Sequence, residues 1–268
     1  MRYTVDNDLH IHSKISACSN DPEQTPERIL EYAKAKGLTT VCITDHFWDE
    51  KVEGASGWYT PQDFSRISKA RPLPQADGIR FLFGCETELT RDLVLGLSKE
   101  RHDEFDFIII PATHFHMKDY TLNPEEFETA EGRAAAWIKH LDAVLDMDLP
   151  FSKVGIAHLI CPLMASYGGF KLDLYYKMID LLDENELRRV FSKAASLGVG
   201  IELNASDIAT AIKVGERVLK PFVIAKECGC KFYFGSDAHH PEGFESSVEL
   251  FEKAVDMLGL EESDKFVL

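Results

Sequence analysis

The sequence predicts an α/β protein built on parallel strands. Three observations carry that expectation. Seven short β-rich runs alternate with helical patterns, no composition break or long linker divides the chain, and histidines or acids recur just after the strand-like runs. A single domain spanning 1–268 follows. An open sheet could bring some of these residues together at a switch point, whereas a barrel gathers all of them more easily where its strand ends converge.

The first run, Val5–Ile11, leads into Asp8-Leu9-His10-Ile11-His12. With a period of 2, His10 and His12 take one face of a strand and Leu9 and Ile11 the other. Such a pair, taken alone, reads equally as ordinary hydrogen-bonded or surface histidines. Pro26–Lys36 reads as a helix with Thr25 as N-cap, Pro26 and Glu27 in its first turn, Gly37 just beyond it, and Ile29, Leu30 and Ala33 as its apolar stripe. Thr39–Thr44 is the second strand and delivers Asp45 and His46. The stretch Trp48–Gly78, with three glycines, three prolines and two tryptophans, reads as a long excursion, either a substrate lid or a packed insertion.

Ile79–Cys85 is the third strand and precedes Glu86 and Glu88, which face the same way if the extended geometry persists. Phe105–Pro111 leads to His114 and His116, and Lys153–Ala157 leads to His158. Val199–Leu203 follows, and Lys231–Phe234 ends the series before Asp237 and His239. The remaining helical candidates are Pro124–Leu145, Asp173–Leu197, Ile208–Cys228 and Ser246–Leu258.

Bulk properties limit the function classes. Charged residues make up 28% of the 268 and hydrophobic residues 45%, enough for a sizeable core. The net charge of −16, from 29 basic and 45 acidic residues, disfavours nucleic acid as a partner but leaves room for a small phosphorylated substrate. No leader-like segment and no run of 18 apolar residues is present, so no membrane span and a cytoplasmic setting are expected. None of the six cysteines forms a Cys-x-x-Cys pair, and Cys42 and Cys85 read as buried thiols.

Imidazoles and carboxylates at the ends of several strands suit Zn, Mn or Fe. A carboxylate can bridge two cations through its two oxygens, and Glu86 is the favoured bridge. Glu88 would support a ligand or face substrate, Asp45 would ligate or orient, and His116 is as readily a core histidine as a ligand. Six to nine donors exceed what one four-coordinate ion needs and fit two or three divalent ions with a bridging water that becomes hydroxide near neutral pH. Such a cluster favours phosphoester hydrolysis. Glu86, Asp237 and His239 are the residues expected to carry it. Ser13 and Cys18 lie nearby without an arrangement that would activate either as a nucleophile.

In order, Asp8-Leu9-His10-Ile11-His12-Ser13, Ile43-Thr44-Asp45-His46, Gly84-Cys85-Glu86, His114, Ala157-His158 and Gly235-Ser236-Asp237-Ala238-His239 resemble the motifs of the PHP (polymerase and histidinol phosphatase) superfamily. The resemblance implies a distorted, TIM-like (β/α)7 barrel with a trinuclear site. One cation would take His10, His12, Glu86 and Asp237. A second would take Glu86, His114 and His158. A third would take His46, His239 and a ligand from the loop after His12, with Asp21 the best acidic candidate and Asp45 in support. It also implies a metal-dependent phosphomonoesterase, with histidinol phosphate the best named substrate. The alternatives are a phosphodiesterase or 3′–5′ exonuclease-like activity and a non-catalytic metal-binding regulatory domain. Glu202-Leu203-Asn204 looks like the late strand motif of the histidinol phosphatases, but His158-Leu159-Ile160-Cys161-Pro162 replaces their proline-containing stretch. Arg91 and Arg133 are candidate anchors for phosphate or carboxylate, weighed against a solvated surface role for each.

Overall fold

The computed structural model describes residues 1–111, 113–166 and 169–268. Seven parallel strands follow one another around a single sheet in chain order. They are β1 (Asn7–Ile11), β2 (Thr40–Ile43), β3 (Arg80–Glu86), β4 (Phe107–Pro111), β5 (Val154–Ala157), β6 (Gly200–Asn204) and β7 (Lys231–Gly235). All seven sequence-derived strands are present, and helices lie between them, giving a (β/α)7 barrel.

Closure is the distorted part. Where β7 returns to β1 the ladder is stitched by side chains: Asn7 Oδ1 accepts from the Phe234 N–H at 3.1 Å, and Asp8 Oδ1 from the Ser236 N–H at 2.9 Å. Above them the backbone resumes, with the Asp237 N–H donating to the His10 carbonyl at 2.7 Å and the His12 N–H to the Ala238 carbonyl at 3.1 Å. Residues from opposite ends of the chain are thereby locked side by side.

The barrel interior below the seam holds Leu9, Cys42, Leu82, Phe107, Ile109 and Tyr233, plugged by Phe266 from the C-terminal segment. A larger apolar layer, including Ile11, Ile43, Ile108, Ile156, Leu203 and Phe234, lies between strands and helices. Strict alternation in β1 is therefore corrected. A register shift between Asp8 and Ile11 puts Leu9 in the interior cluster and Ile11 in the outer one.

Helix α1 (Pro26–Lys36) has the expected bounds, with the Thr25 hydroxyl accepting from the Arg28 N–H and Gly37 left-handed at φ 73°. The three long helical candidates are each interrupted. Pro124–Leu145 is α3 (Pro124–Glu128) and α4 (Ala130–Leu145), because extended Thr129 caps the second through the Gly132 N–H. Asp173–Leu197 is α5 (Leu172–Leu181) and α6 (Glu184–Leu197), where Asp183 accepts from Asn185 and Glu186. Ile208–Cys228 is α7 (Ala205–Val214) and α8 (Lys220–Glu227), broken at Gly215 with φ 106° and followed by Pro221 in the first turn of α8. In each case local capping wins over apolar periodicity. Helix α9 (Ser247–Leu258) closes the series, and a short α2 (Phe64–Ile67) lies within the 48–78 excursion. Within that excursion Trp48, Tyr59 and Gln62 are buried. Among the described residues no helix is long and apolar enough to cross a membrane, and all six cysteines are unbonded thiols.

Asn7→Ala removes an acceptor of the Phe234 N–H in a buried seam, a loss of about 1–3 kcal/mol of stability. Denaturant unfolding checks it; an unchanged midpoint would show that closure does not depend on this side chain.

Candidate metal centre

The carboxyl ends of the strands converge on Glu86, whose carboxylate is 1% exposed. Its Oε2 lies 3.5 Å from His10 Nε2, 3.2 Å from His12 Nε2 and 3.0 Å from His46 Nδ1. Its Oε1 faces the other way, 3.8 Å from His114 Nε2 and 3.6 Å from His158 Nε2. Asp237 closes the ring: its Oδ1 is 3.4 Å from His10 Nε2 and 3.1 Å from His12 Nε2, and its Oδ2 is 3.6 Å from His158 Nε2. The His239 ring stacks on His12 at 4.3 Å between centroids.

The backbone is bent to achieve this. His158 and Asp237, each just past a strand end, are left-handed at φ 61° and φ 54°. The Thr113 hydroxyl pins the His158 carbonyl, and the His10 carbonyl pins the Asp237 N–H. Gly235 admits the close approach, since a Cβ there would collide with the Glu202 carboxylate and sit 2.6 Å from His10 Cβ.

Supporting groups fix the rings from behind. His10 Nδ1 meets Glu202 Oε1 at 2.6 Å, His114 Nδ1 meets Glu88 Oε2 at 2.8 Å, and His12 Nδ1 meets the Ser16 hydroxyl at 3.1 Å. His239 Nδ1 meets the Asp237 carbonyl at 2.7 Å. Imidazoles oriented in this way present one fixed nitrogen to the centre. Asp45 supports rather than joins the cluster: its two oxygens take the Ser13 N–H and hydroxyl, each at 2.7 Å, holding the loop after β1.

Two oxygens of Glu86 and Nδ1 of His46 are buried with no hydrogen-bond partner. Buried polar atoms in that state are costly unless another species satisfies them. The surrounding donor set, hard carboxylates mixed with imidazoles, fits divalent transition ions. Four overlapping groups bring ligand atoms within 4.8 Å of one another: His10 with His12 and Asp237, His10 with Glu86 and His158, His12 with Cys18, His46 and His239, and His158 with Cys161 and Asp207.

The fold brings most of the candidate residues together and leaves some apart. Asp21 stands apart: its Oδ2 is 3.7 Å from His240 Nδ1, and it lines a separate surface hollow with Lys14 and Ser19. Cys18 stands at the cluster instead. Arg133 is neither on the surface nor at the site; it is fully buried and donates to the carbonyls of Phe127, Phe115 and Met164, tying together the loops that carry His114 and His158. Arg91 lies at the surface near Asp92 and Asp119. His116 stands at the pocket rim outside the ligand groups. Glu202 was legible as a motif but its grip on His10 was not, because only the fold brings β6 behind β1.

The centre forms the floor of a cavity of about 420 Å³ walled by Trp58, Tyr59, His116, Met117, Pro162, Leu163 and Ser206. Among the described lining residues there is no lysine or arginine.

Electrostatics follow from the ring. Burial opposes ionisation of Glu86, but His46 and His10 hold its carboxyl well below the usual range. Burial likewise opposes Asp237, and His10 and His12 overcome it. Burial also works against a proton on His12, yet the neighbouring carboxylates of Asp237 and Glu86 lift it to about 9. His10 is raised despite burial by Glu202 and Asp237. Burial dominates at His46 and His239, both depressed to about 4.

Fold and donors define the class: a parallel α/β barrel carrying a buried histidine–carboxylate cluster at the carboxyl ends of its strands. The chain belongs to the PHP domain family, whose model matches residues 8–206. No curated protein sequence matches it. Among solved structures it is similar to histidinol phosphate phosphatase of Lactococcus lactis subsp. lactis Il1403, a complex with zinc, L-histidinol and phosphate. Identity is 18%, coverage 93% of each chain and TM-score 0.56. The Aspergillus niger (A. niger) ochratoxinase is more distant, with 12% identity, coverage of 97% of this chain and 68% of that one, and TM-score 0.43.

A divalent ion entering this ring must displace the protons that His10 and His12 hold below their raised pKa values. Zinc added to the metal-free protein is therefore expected to release protons and to bind more weakly as pH falls from about 9 through neutral. Indicator-dye titration at several pH values tests this, and pH-independent uptake without proton release would contradict it.

Proposed function

We propose that the protein is a metal-dependent phosphomonoesterase. The observation that carries the reading is the divided environment of Glu86: one oxygen faces His10, His12 and His46, and the other faces His114 and His158, with no hydrogen-bond donor serving either. That is the arrangement a bridging carboxylate needs. His10, His12, Glu86 and Asp237 would hold one ion, and Glu86, His114 and His158 a second. His46 and His239 would contribute to a third. Zn, Mn or Fe ions bound there supply charge neutralisation on the phosphoryl oxygens and a water acidic enough to attack near neutral pH.

The protein's own residues set the geometry. Glu86 fixes the spacing across the centre. Asp237, held left-handed by the His10 carbonyl, presents both oxygens inward. Ser206 and His116 are polar groups of the wall outside the ligand ring and are placed to hydrogen-bond a phosphate oxygen or leaving group. Trp58, Met117, Pro162 and Leu163 form an apolar rim that would seat the organic part of a small substrate by contact rather than by a salt bridge. Histidinol phosphate is the first substrate to test, on the strength of the late strand motif and the shared fold. The net charge of −16 and the lack of lysine or arginine among the described lining residues weigh against a nucleic-acid diester. The family resemblance and the completeness of the donor set weigh against a purely regulatory role.

The test is a screen of zinc-, manganese- and iron-loaded protein against phosphomonoesters, histidinol phosphate included, and phosphodiesters. Monoesters are expected to be the better substrates, and faster diester cleavage would overturn the assignment. His10→Ala and Asp237→Ala are expected to lower kcat/KM on the order of a hundredfold to a thousandfold, with circular dichroism showing the fold retained. Glu202→Gln acts through His10 and is expected to weaken metal affinity about 10- to 100-fold. Unchanged affinity in that variant would refute its positioning role.

A further inference from the structure

We propose that Cys18 supplies a thiolate ligand at the His46–His239 corner, filling the place for which the sequence offered Asp21, and biasing that position toward zinc or iron(II) over manganese. The proposal deepens the metal-cluster reading and rests on it. Cys18 Sγ and one ligand nitrogen each of His12, His46 and His239 all lie within 4.8 Å of one another, and with His12 serving the neighbouring ion the sulfur, His46 and His239 are left to share the ion at this corner. An independent feature marks the corner as a site. His46 is 7% exposed and its Nδ1, 3.0 Å from Glu86 Oε2, has no hydrogen-bond partner, so a buried donor is aimed into the cluster unsatisfied.

The loop is also built to hold the sulfur there. On one side of Cys18 the Ser16 hydroxyl accepts from the His46 N–H at 2.9 Å and meets His12 Nδ1 at 3.1 Å. Next, the Ala17 N–H donates to Gln62 Oε1 at 2.8 Å. On the other side the Ser19 hydroxyl donates to the His239 carbonyl at 2.6 Å. The residues flanking Cys18 are thus fastened to the three histidines that face its sulfur. Asp21 has a different set of bonds: it accepts from the Glu23 N–H at 2.9 Å and faces His240.

Thiolate is a softer donor than carboxylate and favours zinc and iron over manganese. Ligation forms a metal–sulfur bond and sends the thiol proton to solvent. Cys161 is the other sulfur near the centre, close to His158 and Asp207, so the experiment must separate the two.

The experiment loads metal-free full-length protein with cobalt(II), and reads both the metal content and the near-ultraviolet thiolate-to-cobalt charge-transfer absorption. The wild type and Cys161→Ser are expected to show the band. Cys18→Ser is expected to lose the band and to bind the corner ion about tenfold or more weakly. Cys18→Asp is expected to recover metal content without the band and to shift preference toward manganese. In parallel, zinc loading of the wild type is expected to slow alkylation of Cys18 by iodoacetamide, read by peptide mass spectrometry, so a Cys18→Ser chain that fails to fold does not remove the test. Cobalt bound with no band, a band surviving in Cys18→Asp, or equal alkylation with and without zinc overturns the cysteine assignment while leaving the metal cluster in place. Failure of the wild type to bind any metal overturns both.

Discussion

Burying the Glu86 carboxylate is the constraint around which the rest of the molecule is arranged. An ionised carboxylate taken out of water without hydrogen-bond donors is expensive, and here neither oxygen has one. The fold answers with positive or positively polarised groups alone: five imidazoles aimed inward from the ends of β1, β2, β4 and β5. The outer nitrogens of His10, His114 and His12 are met in turn by Glu202, Glu88 and Ser16. One acidic group at the end of β3 therefore dictates side chains on almost every strand. A barrel supplies this convergence, because its strand ends point at a common axis.

The strands and their terminal donors were legible in the sequence because each is a local pattern: a β-branched or aromatic run, then a histidine or acid. The candidate ligands could be named from spacing because six of the seven strands, all but β6, repeat the same device. Features fixed by contact between distant segments were not legible. Arg133 looked like a surface cation, yet its guanidinium satisfies three loop carbonyls in the core. Asp21 is the better candidate on chemical type, but a loop held by Ser16 and Ser19 brings Cys18 rather than Asp21 beside His12, His46 and His239. The long helical candidates failed at Thr129, Asp183 and Gly215, where a single cap or a positive φ ends a helix that apolar periodicity would continue.

The pocket above the centre divides recognition in two. The floor holds carboxylates and imidazoles and would take an anion only through bound cations, whereas the rim is mostly apolar and offers no fixed positive charge among its described residues. A ligand suited to both is small and carries its negative charge at one end. The overall charge of −16 would slow the approach of polyanions at long range, so the chain's electrostatics and the cavity's shape select in the same direction.

The seam between β1 and β7 has a consequence for how the protein comes into being. During translation His10 and Glu86 emerge early, but Asp237 and the backbone that locks beside His10 are made only after six strands are complete. Until then the nascent chain presents an acid and several imidazoles without their final neighbours, and the barrel has two open edges that invite mispairing. Closure of the barrel and completion of the centre are thus one late event in folding. A chain stalled before β7 would hold neither a closed barrel nor a finished cluster, which couples quality control of the fold directly to the integrity of its chemistry.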